Sequence, residues 1–258
     1  MSEFEERRPW LLLASIAALL VGIGSVAGGL LFGSIPDAQE FPRESVEAPR
    51  ESVEVPVNSG GIVLSERTNP AKVSVDDEWV ARTAERTGIS ERAVSAYALA
   101  AARMSVDTPG CGLGWNTLAG IGFVESEHGT MHGASLGADG RAEPEIIGVP
   151  LDGTTTARIP DTDGGRLDGD AVWDRAVGPM QFIPSTWARW ASDGNGDGVR
   201  DPHSIDDAAY SAARYLCADG RNLGDAAQWI DAVAAYNDSV EYNNRVAEAA
   251  DHYAGLAQ

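Results

Sequence analysis

Glu125 is the residue in this chain whose setting most suggests chemistry. In the segment WNTLAGIGFVESEHG, Trp115 to Gly129, the residues Leu118, Ile121, Gly122 and Glu125 fall at i, i+3, i+4 and i+7. On a helix that spacing puts the glutamate on one stripe with apolar and small residues. A carboxyl group held among such neighbours resists ionisation, so its pKa rises. A carboxylic acid still protonated near neutral pH can give its proton to a glycosidic oxygen. Glu127 falls about 200° further around the helix and faces different surroundings. The same spacing also suits a glutamate that is solvated or ion-paired at a helix end. His128 and His132 have an i, i+4 ligand spacing. The HExxH pattern is absent, however, and Gly129 breaks the helix between them, so no metal is expected there.

A second constellation is acidic. Asp193-Gly194-Asn195-Gly196-Asp197-Gly198 starts like an EF-hand loop, with oxygen side chains at positions 1, 3 and 5 and glycine at 6. That donor set suits a hard cation such as calcium, and Val199 would offer its carbonyl at position 7. The twelfth residue is Ser204 rather than Glu. Asp207, fifteenth in the run, is placed to close a longer loop, and Asp201 is a further oxygen donor. A glycine-rich acidic turn without a metal is the alternative.

The elements that must carry these residues read as helical. Asp76 or Asp77 caps a helix that stops at Gly88. Ser90 caps an alanine-rich helix to about Met104, and a third runs from about Leu113 to Glu127. Further helices are expected over Pro184–Ala191, Asp206–Ala218, Asp225–Tyr236 and Val240–Tyr253. Residues 130–172, rich in Gly, Asp, Thr and Pro, read as a long loop with room for a small hairpin. The fold class is mostly α, and no internal repeat is evident.

The N-terminus has a different composition. Trp10 to Phe32 is a run of 23 residues without a charge. A helix needs about 20 residues to cross a bilayer. Arg7 and Arg8 precede the run and favour an inside N-terminus. A cleaved signal peptide ending near Ser25-Val26-Ala27 is the alternative. Residues 1–33 are thus expected to be a cytoplasmic tip and transmembrane anchor. Residues 34–75, with Pro36, Pro42, Pro49, Pro56 and Pro70 among glutamates, are expected to be a disordered linker. Residues 76–258 are the folded domain. Either reading of the N-terminus puts that domain outside the cytoplasm, where Cys111 and Cys217, the two cysteines of the chain, are expected to form a disulfide. The chain carries 19 Lys and Arg against 39 Asp and Glu, a net charge of −20. Phosphate recognition needs clustered cations, so a nucleic-acid partner is excluded.

Four segments in order carry a resemblance. AGIGFVESEHG (Ala119–Gly129) is followed by VGPMQFIPSTWARW (Val177–Trp190), by SDGNGDGVRDPHSIDDAAYSAARYLC (Ser192–Cys217) and by AAYNDSVEY (Ala234–Tyr242). Together they resemble the lytic murein transglycosylases, above all the membrane-bound B type and its actinobacterial relatives, over residues 76–258. The resemblance implies a lysozyme-like helical fold. It also implies cleavage of the β-1,4 bond between N-acetylmuramic acid and N-acetylglucosamine in peptidoglycan, leaving a 1,6-anhydro end. Glu125 matches the family's single acid/base. Gln181 and Phe182 match a segment lining the glycan groove, as do Tyr236 and Asn237, with Tyr242 a further groove tyrosine. Phe182 fits a core position equally well. The family's longer calcium loop supports Asp193, Asn195, Asp197, Val199 and Asp207 as ligands. The chain departs from the B type in residues 130–172, and Val172 falls near the point where that type places a serine. A lysozyme-type muramidase and a non-catalytic wall-binding or scaffold protein are the alternatives. Partners for synthesis or division of the wall are not indicated.

Overall fold

The computed structural model describes residues 62–64 and 73–257. The expected anchor over residues 1–33 and most of the expected linker lie outside the described residues. Among the described residues no helix is long and apolar enough to cross a membrane. The end of the linker segment differs from expectation. β1 (Ile62–Leu64) and β2 (Val73–Val75) pair antiparallel, Ile62 opposite Val75, and Val75 packs on the helical core. Two strands rich in β-branched residues satisfy each other's backbone groups there.

Seven α-helices follow among the described residues. α1 (Asp77–Thr87) starts where the Asp76 carboxylate accepts the Trp79 amide and ends at Gly88, whose φ of 73° suits a residue without Cβ. α2 (Glu91–Asp107) starts at a Ser90 cap. α3 (Trp115–Ser126) ends at Glu127 in the left-handed region. α4 (Pro184–Trp190) starts with proline at its first position, where no amide is lost. α5 (Ile205–Leu216) follows the acidic loop, and α6 (Ala226–Tyr236) and α7 (Val240–Leu256) complete the chain.

α3 is the central element. Its residues from Trp115 to Gly122 are all buried, so it is not the one-striped helix that spacing suggested. A helix apolar all round belongs inside. α2 and α7 pack on either side of it, and α5 packs on α2. Both helices are rich in buried alanines, among them Ala98 and Ala101 of α2 and Ala208 and Ala212 of α5, whose small side chains suit close packing. Trp229 of α6 donates its indole N–H to Thr117 Oγ1 of α3 at 3.0 Å. The Cys111–Cys217 disulfide forms, with Cα atoms 5.6 Å apart, and ties the approach to α3 to the end of α5. In the chain-entropy model, closing a loop of about a hundred residues contributes up to ~4.7 kcal/mol.

Residues 130–172 form an ordered excursion rather than a plain loop. β3 (Ser135–Leu136) and β4 (Ala142–Glu143) form a hairpin, and β5 (Ile147–Pro150) pairs with β6 (Arg175–Val177). Its apolar centre is small: Ala134, Ala142 and Ile146. Aspartates do the rest. Asp161 accepts amides from residues 163 to 165, Asp163 from 166 and 167, and Asp168 from 170 and 175.

Candidate active site

Glu125 lies in the last turn of α3 and is 7% exposed. What holds it there is α7. Gly120 lets α7 approach so closely that a Cβ at that position would stand 2.8 Å from the Val246 carbonyl oxygen. Asn116 secures the contact by donating to the Ala250 carbonyl at 3.2 Å. This packing brings Tyr242 against the carboxyl, and its hydroxyl donates to Glu125 Oε1 at 2.6 Å. Burial pushes the Glu125 pKa up to about 7, against the Tyr242 hydrogen bond and the Arg245 guanidinium, which both favour the ionised form. Burial beside Glu125 also holds the Tyr236 and Tyr242 phenols far above their usual range.

The segment Val177–Phe182 is a tight turn closed by mutual hydrogen bonds between its end residues. Two helices hold this turn. Ser126, next to Glu125, donates to the Pro179 carbonyl at 2.6 Å, and Tyr236 donates to the Met180 carbonyl at 2.7 Å. Gly178 is required because a Cβ there would meet the Pro202 carbonyl oxygen at 1.8 Å. Gln181 occupies the left-handed region at φ 48°, unusual for a residue with a side chain. Its amide nitrogen donates to the Gly178 carbonyl at 2.9 Å, leaving the amide oxygen with no partner among the described residues.

Gln181, Phe182, Ile183, Thr186, Tyr215 and Tyr236 line a small open cleft. Phe182 is 2% exposed, stacked edge-on against Trp187 and Tyr236, so its ring belongs to the core while its edge meets the cleft. Tyr236 reaches both the cleft and the field of Glu125. Asn237 is buried and ends α6. Its carbonyl accepts from Asn243 Nδ2 and its Oδ1 from the Ser239 amide, which sets the corner into α7 and so places Tyr242. The structure thus brings Glu125, Tyr236 and Tyr242 together, with Gln181 and Phe182 along the adjoining cleft and Asn237 behind them. Val172 is exposed and takes no part.

Spacing did not reveal two participants. Ser126 couples the glutamate to the turn. Arg245 follows Tyr242 by three residues and shares its side of α7, a spacing that was available in the sequence. His128 is buried between Tyr97 and Tyr253, its Nε2 2.8 Å from the Tyr253 hydroxyl, and burial lowers its pKa to about 4. It is neutral, held as a packing group.

The acidic loop is seated on α5. Gly194 abuts α5 so tightly that a Cβ would stand 2.1 Å from the Asp206 carbonyl oxygen. Asp207 is fully buried beneath it, accepting the Gly194 and Asp201 amides, and burial raises its pKa to about 6, with Asp193 and Asp197 adding to the rise. Asp193 accepts the Gly196 and Gly198 amides, Asn195 that of Asp197, and Asp197 that of Val199. An all-oxygen donor set, a left-handed Gly198 at the sixth position and mutually repelling carboxylates fit a hard divalent cation. The loop's own acids do not gather. Among the described residues the acids with oxygens within 4.8 Å of one another are Asp161, Asp163 and Asp174, and these already accept amide or hydroxyl hydrogen bonds.

Comparison with known proteins gives one family. Residues 163–251 match the family described as Transglycosylase SLT domain. The matched segment contains Gln181, Phe182, the acidic loop, Tyr236, Asn237 and Tyr242, and begins beyond Glu125. No curated protein matches the chain. Two solved structures of the Escherichia coli lytic transglycosylase SLT35 are similar at 15% identity and a TM-score of 0.37. The complex with bulgecin A covers 74% of this chain and 80% of its own, and the complex with calcium covers 70% and 78%. Over residues 163–251 the resemblance read from the sequence is borne out by the SLT transglycosylase domain.

Proposed function

We propose, from the transglycosylase SLT domain that this chain carries and from the setting of Glu125, that the protein is a peptidoglycan lytic transglycosylase. The observation that carries the proposal is one buried carboxyl, held protonated to about pH 7 and bound by a tyrosine. Glycosidases that hydrolyse usually need two carboxylates. A reaction in which the substrate supplies its own nucleophile needs one.

Glu125 then works twice. As an acid it gives its proton to the oxygen joining N-acetylmuramic acid to N-acetylglucosamine, and the bond from C1 to that oxygen breaks. The substrate's acetamido oxygen bonds to C1 and carries the developing positive charge. As a carboxylate, Glu125 next takes the proton of the muramic C6 hydroxyl. O6 bonds to C1, the acetamido oxygen leaves, and the 1,6-anhydro ring is closed with Glu125 protonated again. Tyr242 keeps its hydrogen bond through both states and strengthens it when the carboxyl is charged. Gln181, Phe182 and Tyr236 are proposed to line the glycan groove of a lysozyme-like fold, with Asn237 setting the corner behind it.

The remaining expectations complete the proposal. Residues 1–33 anchor the chain in the membrane, residues 34–75 tether it, and residues 76–258 act outside the cytoplasm in the manner of the membrane-bound B type. Calcium held by Asp193, Asn195, Asp197, the Val199 carbonyl and Asp207 would neutralise the loop's charge and fix it to α5, a structural part only.

Digestion of peptidoglycan in ¹⁸O-labelled water tests the reaction type. A transglycosylase leaves anhydro ends without label. A muramidase leaves reducing ends carrying one ¹⁸O, and that result overturns the proposal in favour of hydrolysis.

A further inference from the structure

The turn that carries Gln181 is held from two directions. From one, Ser126 and Tyr236 donate to the carbonyls of Pro179 and Met180. From the other, two carbonyls meet it. That of Ile146 accepts the Gly178 amide at 2.8 Å and Gln181 Nε2 at 3.5 Å. That of Pro202 closes on Gly178 so tightly that no Cβ fits between them. The residue just before each of these two is an acid, and one side chain joins the acids. Arg141 Nη2 donates to Glu145 Oε1 at 2.9 Å, and its Nη1 pairs with Asp201 Oδ2. The main chain runs along the same seam. The Ala142 amide donates to the His203 carbonyl at 3.0 Å, and the Ile205 amide to the Gly140 carbonyl at 2.9 Å. The Asp201 carboxylate also accepts the His203 amide at 3.0 Å, which ties it to the far side of Pro202. The apolar cluster around Ile146 is small, so polar ties carry much of the order there.

We infer that Arg141 is a positioning residue of the cleft: by joining Glu145 to Asp201 it fixes the Ile146 and Pro202 carbonyls against the turn, and so holds Gln181 where it meets the glycan. This rests on the transglycosylase reading for what the cleft binds. Gln181 needs such a hold, because a left-handed residue with a side chain persists only where its surroundings over-determine it. Arginine suits the task, because its planar fork can serve two carboxylates at once, whereas lysine offers a point charge. The Arg141 side chain is 37% exposed, so the two pairs are worth a several-fold effect rather than a collapse of the fold. Residues 130–172, which lack a core of their own size, thereby act on the cleft from outside it.

The test uses the full chain, its Arg141→Gln and Arg141→Lys variants, and peptide-free soluble glycan strands. Amide exchange is followed at Gly178 and Gln181, and in α3 and α7 for comparison. Strand binding is read by calorimetry in a Glu125→Gln background, so that nothing is cut, and kcat and KM by release of new ends. In Arg141→Gln, exchange at Gly178 and Gln181 should quicken about threefold to tenfold while α3 and α7 keep the wild-type rates. Strand Kd and KM should rise by a similar factor. The pH dependence of kcat should not move, because Tyr242 and α7 set Glu125. Arg141→Lys should fall between the two. Unchanged exchange in the turn overturns the inference. Exchange that quickens equally in α3 and α7 also overturns it, since Arg141 would then support the fold at large. Quicker exchange in the turn with unaltered strand binding overturns it as well. Local quickening with weakened binding, in a chain that leaves no anhydro ends, keeps the clamp and removes the transglycosylase reading. Anhydro ends without local quickening do the reverse.

Discussion

Replacing Glu125 by Gln should make the fold more stable, and increasingly so as pH rises. The Glu125 carboxyl has a folded pKa of about 7 against an ordinary value of 4.5, because burial disfavours its charge. Between those values the folded state keeps the proton and the unfolded state has lost it. Stability is therefore complete below about pH 4.5 and falls as pH rises through about 7. At 1.36 kcal/mol per pH unit the loss levels off near ~3 kcal/mol above pH 7. The side chain is 7% exposed, so little screening reduces that figure. Glutamine has nearly the same shape, does not ionise, and keeps an oxygen to accept the Tyr242 hydroxyl. The assay is thermal unfolding of wild type and Glu125→Gln across pH 4.5 to 8.5 with the disulfide intact. Taking the difference cancels other groups that titrate in this range, such as Asp207. The variant should match wild type near pH 4.5 and exceed it at pH 8 by up to about 6–12 °C in Tm. A difference that does not change with pH would refute the argument, because Glu125 would then be solvated.

Two further predictions follow from the same geometry. Tyr242→Phe removes the donor that favours ionised Glu125, so the alkaline fall of kcat/KM should move up by about one pH unit or more, from the worth of a hydrogen bond to a charged group. An unmoved alkaline limb would mean that Tyr242 does not set the acid. At pH 7.5, calcium should raise the Tm of wild type in proportion to its logarithm, and Asp207→Asn should abolish the response. An equal calcium response in the variant would remove Asp207 from the ligand set.

Local signals were legible in the sequence and long-range ones were not. Asp76, Ser90, Gly88 and Asp225 act within one turn of their own helices, so their residue types sufficed to place the ends of α1, α2 and α6. Two cysteines in a domain expected to lie outside the cytoplasm left one pairing. Glu125 was found by its stripe, yet its burial comes from α7, a hundred and more residues away, through the close approach at Gly120. That contact has no local signature. Residues 130–172 lack the apolar periodicity that betrays order, because their order comes from aspartates bonding nearby amides. The β1–β2 pair escaped notice for a related reason: prolines and glutamates around it dominate the composition. Phe182 could not be divided between core and groove because it occupies both, buried against Trp187 and Tyr236 with an edge on the cleft.

The central claim is that Glu125 alone carries proton transfer in a cleavage that consumes no water. Mass spectrometry of peptidoglycan digested by the full chain, beside Glu125→Gln, tests it most directly. Muropeptides with 1,6-anhydro ends should appear with wild type and fall by about 10²-fold or more with the variant. Anhydro ends formed equally by both proteins would contradict the account.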